Sequence, residues 1–165
     1  MAHGECKSLL MFRAGGFARL AMPLSMVARL EKIPRSEVER AAGREVLQYR
    51  GQMLPLISLA DALGGPAEVE TEFLSVIVYR NAGSSIGLAV DAIVDIVEDE
   101  VRSARGADRA GLLASAVVGG HVTDFIDLEA VGAHLAQFDS GQTLSRLNAA
   151  LRQEQAVEAS EEVIP

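Results

Sequence analysis

A chain of 165 residues with 15 Lys or Arg against 23 Asp or Glu, a net charge of −8, is poorly suited to nonspecific nucleic-acid binding, which needs a basic face to displace counterions. It is 49% hydrophobic, enough for a real core, but with no Trp and few aromatics that core must be built from Leu, Val, Ile and Met. Its apolar runs break well short of the roughly 18 residues of a membrane span, no basic and then apolar leader opens it, and Cys6 has no second cysteine to pair with, so the expectation is a soluble cytoplasmic protein without direct membrane insertion.

Ser8 to Arg13 reads as a short strand, with Ala14-Gly15-Gly16 as its turn. Leu20, Met22 and Leu24 alternate and mark a half-buried strand over Arg19–Leu24. Another strand covers Val27 to Ile33 and ends at Pro34. Ser36-Glu37-Val38-Glu39 has the form of a capping box for a one- or two-turn helix, although the apolar face there is thin. Glu45–Arg50 and Met53–Ile57 flank Gly51 and read as paired strands. Ser58 can cap a helix over Leu59–Leu63, which Gly64-Gly65-Pro66 stops.

Residues 64–72 are a polar connector. Beyond it, Phe73–Tyr79, Ile86–Val90 and Ala92–Val97 read as strands, and Glu98 opens a charged loop to about Gly111. Leu112–Val118 and His121–Ile126 form a hairpin about Gly119-Gly120, and Asp127 caps a helix running to about Gln137. In the tail Leu144, Leu147 and Leu151 make a thin helical stripe, and the acidic end Glu154–Pro165 is expected to be disordered.

The chain reads as one pattern written twice. A shift of 66 places Leu20, Met22, Leu24, Val27 and Leu30 on Ile86, Leu88, Val90, Ile93 and Ile96. A shift of 69 places Gly51-Gln52-Met53 and Leu59 on Gly120-His121-Val122 and Leu128. Two units are too few for a solenoid, and no long crossover helix separates successive strands, which disfavours a parallel α/β fold. The expectation is an all-β fold of two small five-stranded barrels: lobe one about 8–64, lobe two about 65–137, then a helical or disordered tail over 138–165. Residues 1–64 carry +3, residues 65–137 carry −8, and the tail −3. That split is either ordinary surface variation or a means of docking with a neighbour.

Residues for catalysis are sparse. His121 and His134 stand thirteen positions apart without ligand spacing. Ser84-Ser85, Ser115 and Ser145 lack a nucleophile-elbow context, and the paired glycines lie between strands rather than before helices. Asp95, Glu98, Asp99 and Glu100 lack the central Gly and alternation of a calcium loop. No cofactor, metal or catalytic residue is expected. The most distinctive run is Gln48 to Leu59, where Pro55 suits an edge strand or bulge. Arg50, beside Gly51, either pins its own turn or reaches a partner carboxylate.

This run resembles the CheW-like domain of bacterial chemotaxis. Arg50 to Leu59 matches its Arg-Gly-x-hydrophobic-hydrophobic-Pro-hydrophobic-hydrophobic-x-Leu pattern. Gly87-Leu88-Ala89-Val90-Asp91 through Val97, and Gly119-Gly120 through Leu128, match the family's second half, so the likeness covers roughly residues 8 to 137. It implies two SH3-like barrels acting as a non-catalytic scaffold between chemoreceptors and a histidine kinase. Gln48-Tyr49 stands where free CheW adaptors usually carry Asn-Leu, so the chain is most similar to the C-terminal regulatory domain of the kinase CheA. The partners implied are a CheW-type adaptor and chemoreceptor tips, or CheA if the chain is itself the adaptor. For docking residues the likeness and the charge split point to Arg50, Gln52 and Leu54 on the first lobe and Asp95, Glu98 and Asp99 on the second. A small β-barrel enzyme or ligand-binding protein is the rival from another class.

Overall fold

Alternating apolar residues broken by glycine turns build eleven strands among the described residues. The computed structural model describes residues 6–66, 71–81, 83–133 and 145–153. β1 (Cys6–Ala14) and β2 (Phe17–Pro23) form a hairpin, and a 3-10 turn over Leu24–Met26 leads into β3 (Val27–Pro34). A second 3-10 turn, Arg35–Glu37, precedes β4 (Glu39–Ala41), β5 (Arg44–Tyr49), β6 (Gln52–Ser58) and α1 (Leu59–Leu63). There follow β7 (Phe73–Asn81), β8 (Ser84–Val90), β9 (Ala92–Gly106), β10 (Leu112–Val118), β11 (His121–Ile126) and α2 (Leu128–Ala133). Residues 145–153 are a helix in a separate unit of the chain.

The strands form a closed barrel in the order β1-β2-β11-β10-β9 and a six-stranded sheet in the order β3-β7-β8-β6-β5-β4. In the second sheet the outer strands β3 and β4 are consecutive in the chain, joined through Arg35–Glu37, so that sheet must also curl upon itself. Tyr49 helps to close it. Its hydroxyl lies 3.4 Å from Glu31 Oε1, to which it donates, and 3.4 Å from Arg29 Nη1, from which it accepts. In the closed barrel Arg19 of β2 plays a similar part, donating from Nε to Thr123 Oγ1 at 3.2 Å and from Nη2 to the Val118 carbonyl at 3.1 Å.

The barrels do not coincide with the two halves of the sequence. β1-β2 from the first half close with β9-β10-β11 from the second, while β7-β8 join β3 to β6. The expected lobes, about 8–64 and about 65–137, are therefore interleaved. The repeat itself persists, since β3 through β4 (residues 27–41) and β9 (residues 92–106) are the same length and close equivalent barrels.

Strand parity explains the exchange. Leu9, Met11 and Ala21 point into the closed barrel with Val118, Val97, Val101 and Phe125. Leu10 and Phe12, opposite Met22 and Leu20, must then face outward, yet all four are fully buried. In the other sheet Leu47, Leu54, Leu56, Val76, Val78 and Ala89 fill the interior. Ile77, Tyr79, Ile86 and Leu88 occupy the opposite face and are buried as well. The two outward faces cover each other in an apolar seam, each long side chain there contributing about 1.5–3 kcal/mol. Leu20 and Met22 thus match Ile86 and Leu88, but in the seam rather than inside a barrel.

Three local expectations are corrected. Leu24 is only half-buried, because Pro23 ends β2 and Leu24 opens a 3-10 turn. The capping box at Ser36 gives a 3-10 turn without a side-chain cap, since β4 resumes two residues later. The charged loop from Glu98 is the second half of β9, with Val97 and Val101 holding its inner side while Glu98, Glu100 and Arg102 line its outer side. The strand bends at Ser103, where φ is +54°. α2 begins as expected, with Asp127 Oδ1 accepting from Ala130 N at 3.2 Å, but its expected extension over 134–137 lies outside the described residues, as do Leu144 and 154–165. Ser58 caps α1 as read, accepting from Asp61 N at 3.4 Å, and Gly64 ends it with φ +69°.

Candidate docking surface

Arg50 and Gly51 form the tip between β5 and β6, closed by the facing pair Tyr49 and Gln52. Both tip residues have positive φ, +52° and +74°, the geometry of a two-residue turn whose twist suits a hairpin. Gly51 adopts this freely, whereas Arg50 does so at a cost. The Arg50 guanidinium lies 5.5 Å from the Tyr49 ring centroid. Tyr49 is itself held by Glu31 and Arg29, so the cation rests on a fixed ring. Among the described residues this exposed guanidinium makes no hydrogen bond or ion pair, so its donors are not spent on its own turn.

Gln52 is exposed beside it, and so is Met53, at 55%. Leu54 is not: at 2% exposure it points inward against Leu47, Leu56 and Val76. Strand alternation puts the exposed side chain one place earlier, at Met53, and leaves Leu54 in the interior rather than on the surface.

Asp95 and Glu98 stand exposed on β9, where Asp95 Oδ1 accepts from Ile96 N at 2.8 Å. Asp99 is half-buried opposite Lys7 and accepts from Glu100 N at 2.8 Å, and Glu100 pairs with Arg102. These acids belong to the closed barrel and Arg50 to the other sheet, so the structure does not bring them together. The lobe charges also change. Among described residues the closed barrel with α2 holds six basic and nine acidic side chains, and the second sheet with α1 seven and six. Interleaving places Lys7, Arg13 and Arg19 with the acidic strands, and most of the expected contrast disappears.

Apolar exposure is the feature that the site residues named from sequence omit. Ile96 is 52% exposed, and Leu30, its equivalent under the shift of 66, is 39% exposed. Val122 is 69% exposed, and its equivalent under the shift of 69 is Met53. Each barrel therefore presents aliphatic side chains to solvent at the same two places, beside Val94 in the closed barrel and Met26 and Phe73 in the second. The signal was present in the sequence as apolar residues aligned between copies, but reading them as outward required the strand parity.

Among the described residues no His, Cys, Asp or Glu group could hold a metal ion, and none of their helices is long and apolar enough to cross a membrane. His121 is exposed at the β10–β11 turn, and His134 lies outside the described residues. Ser115 Oγ lies 2.6 Å from Asp124 Oδ1 on the neighbouring strand, a hydrogen bond across the ladder.

The family described as CheW-like domain matches residues 8–135. Among solved structures, the scaffolding protein TtCheW from Thermoanaerobacter tengcongensis is similar at a TM-score of 0.62 and 16% identity, over 76% of this chain and 87% of that one. No curated protein matches the chain.

Proposed function

Because the chain belongs to the CheW-like domain family, whose members are non-catalytic scaffolds, we propose that it couples chemoreceptors to a chemotaxis histidine kinase as the regulatory domain at the C-terminus of CheA. The observation that carries a docking role is the repeated exposure of aliphatic side chains, Leu30 with Met53 on one barrel and Ile96 with Val122 on the other. A desolvated apolar centre supplies most of the affinity of such contacts, and charges at the rim set orientation and rate. Arg50 and Gln52 would stand at the rim of one surface, and Asp95, Glu98 and Asp99 at the rim of the other.

The kinase reading rests on Gln48-Tyr49 before Arg50, with Tyr49 serving as the platform beneath the guanidinium. The likeness to a stand-alone scaffolding protein supports the second reading, a free CheW-type adaptor. A reconstituted receptor, kinase and adaptor system separates them. Fused to a CheA core lacking its regulatory domain, the chain should restore receptor control of autophosphorylation. Restoration instead by the free chain in a system lacking only CheW would establish the adaptor, and failure of both would refute the coupling role.

A further inference from the structure

β9 lies between β1 and β10 in the closed barrel but meets them along different stretches. Among the described residues its first part, 92–100, pairs with β1, and only from Val101 does the opposite edge pair with β10. Val94, Asp95, Ile96 and Glu98 are all exposed along that first part, Val94 at 57% and Ile96 at 52%. An open strand edge offers backbone groups to any other strand. The run Ala92-Ile93-Val94-Asp95-Ile96-Val97 makes this edge hazardous, because it is rich in β-branched residues and carries a single charge.

The amides of alternate residues face opposite edges of a strand. Asp95 Oδ1 accepts from Ile96 N and Asp99 Oδ1 from Glu100 N, each at 2.8 Å. Ile96 and Glu100 are an even number of residues apart, so both amides face the same edge. Asp99 shows which edge that is. Its Oδ2 lies 3.1 Å from where a Cβ on Gly119 would stand, at the end of β10 and away from β1. Two outward donors are thus taken by carboxylates of their own strand.

The other copy of the pattern treats its equivalent edge in the same way. The shift of 66 places Val94 on Ala28 and Glu100 on Pro34. Val94 is the extra residue where the β1–β9 register shifts, and Ala28 is the extra residue where the β3–β7 register shifts. Arg35 N donates to the Glu72 carbonyl toward β7, so position 34 faces the outer edge, and there proline has no amide hydrogen at all. A bulge and the withdrawal of one donor therefore recur in both copies, through proline in one and aspartate in the other. β3 carries Arg29, Glu31 and Lys32 where β9 carries Asp95, Val97 and Glu98. The less charged run is the one that has the second cap, Asp95 on Ile96.

We infer that Asp95 and Asp99 guard the β9 edge against pairing with the same edge of a second copy of this chain. A second copy is the strand excluded, because the pairing-prone run is then present on both sides. Antiparallel pairing about a two-fold axis would also let Val94 and Ile96 stack across the junction. A capped amide has no hydrogen left for an arriving strand, which would have to break two charge-assisted bonds first. The caps therefore oppose self-assembly while leaving the aliphatic side chains of β9 exposed.

Sedimentation velocity of the full chain over a range of concentrations, with reductant present to silence Cys6, tests this. The double variant Asp95→Ala, Asp99→Ala should self-associate about tenfold or more tightly than the native protein. Asp95→Asn with Asp99→Asn loses the same two charges but keeps an acceptor at each place, so it should stay within about twofold of native. Adding Glu98→Pro to the Ala variant withdraws the outward amide midway between the caps and should return it to native behaviour. Native-like behaviour of the Ala variant would overturn the inference. Equal association of the Asn and Ala variants would overturn it too, by assigning the effect to charge alone. Those two comparisons hold whether or not the proline variant folds.

Discussion

Tyr79 stands opposite Ile86 in the β7–β8 hairpin as Phe12 stands opposite Leu20 in the β1–β2 hairpin. The two rings thus occupy equivalent places in the seam, and they differ by a hydroxyl that has no hydrogen-bond partner. Tyr79→Phe should raise stability by about 1–3 kcal/mol, the cost of leaving a buried polar group unsatisfied. Urea unfolding at neutral pH checks this, and a lower midpoint would show that the hydroxyl is satisfied in solution.

Burial also raises the Tyr79 pKa from 10.0 to about 12. Above pH 10 the unfolded chain ionises while the folded one resists. The associated stability is therefore complete below about pH 10 and falls away as pH approaches 12, by about 2–3 kcal/mol in all. Unfolding measured at pH 9 and pH 11.5 should show a drop in the native protein that is smaller by about 2 kcal/mol in Tyr79→Phe, most of the whole effect.

Gly87 faces Leu56 across the parallel pairing of β6 and β8, as Ala21 faces Phe125 across that of β2 and β11. These are equivalent pairs under shifts of 66 and 69, but the second site is tighter, since a Cβ on Gly87 would lie 2.6 Å from Leu56 Cδ2 and 3.0 Å from Val76 Cγ1. Gly87→Ala should cost about 1–3 kcal/mol through overpacking. The double variant Gly87→Ala, Leu56→Val should recover part of this, and thermal melts of the three proteins give the answer.

Arg50 offers a separation of turn from docking. Arg50→Gly should stabilise the hairpin by about 0.5–1 kcal/mol, because glycine takes positive φ without a Cβ penalty. It should nevertheless weaken partner binding, as should Arg50→Glu with little change in melting temperature. Normal binding by both variants would remove Arg50 from the interface.

Met53 and Leu54 make a paired test of strand parity. Leu54→Ala should cost about 2–5 kcal/mol from the interior, while Met53→Ala should change stability by less than about 0.5 kcal/mol and slow association or hasten dissociation. Leu30→Asp and Ile96→Asp should behave like Met53→Ala, whereas Leu20→Asp should unfold the protein. Binding kinetics read beside circular dichroism distinguish these cases.

The local fold was legible wherever one residue type controls one conformation. Ser58 and Gly64 bound α1, Gly51 opens β6, and Gly119-Gly120 turns β10 into β11. The partition into barrels was not legible, because parity within Leu20–Met22 says that one face is buried without saying what buries it. Both an interior and a seam satisfy that pattern. The second half of β9 was missed for the opposite reason, since charges on its outer side outnumber the two valines that hold its inner side. Leu54 was named as a contact through family likeness, and a count from the exposed Met53 places it inside.

Interleaving sets an order of assembly during synthesis. Every strand of the six-stranded sheet has been made once residue 90 emerges, but β1 and β2 must wait for β11, which ends at Ile126. At about 5–20 residues per second, that leaves the first hairpin without its barrel for roughly 2–7 s. Nascent chains stalled after residue 90 had cleared the ribosome should resist protease from Val27 to Val90 while β1 and β2 remain open to cleavage, and protection of the hairpin at that stage would refute this order. Within this domain the hairpin made first is thus among the last elements to find its partners, and a chaperone acting on this chain would meet Leu10, Phe12, Leu20 and Met22 before the folded domain hides them.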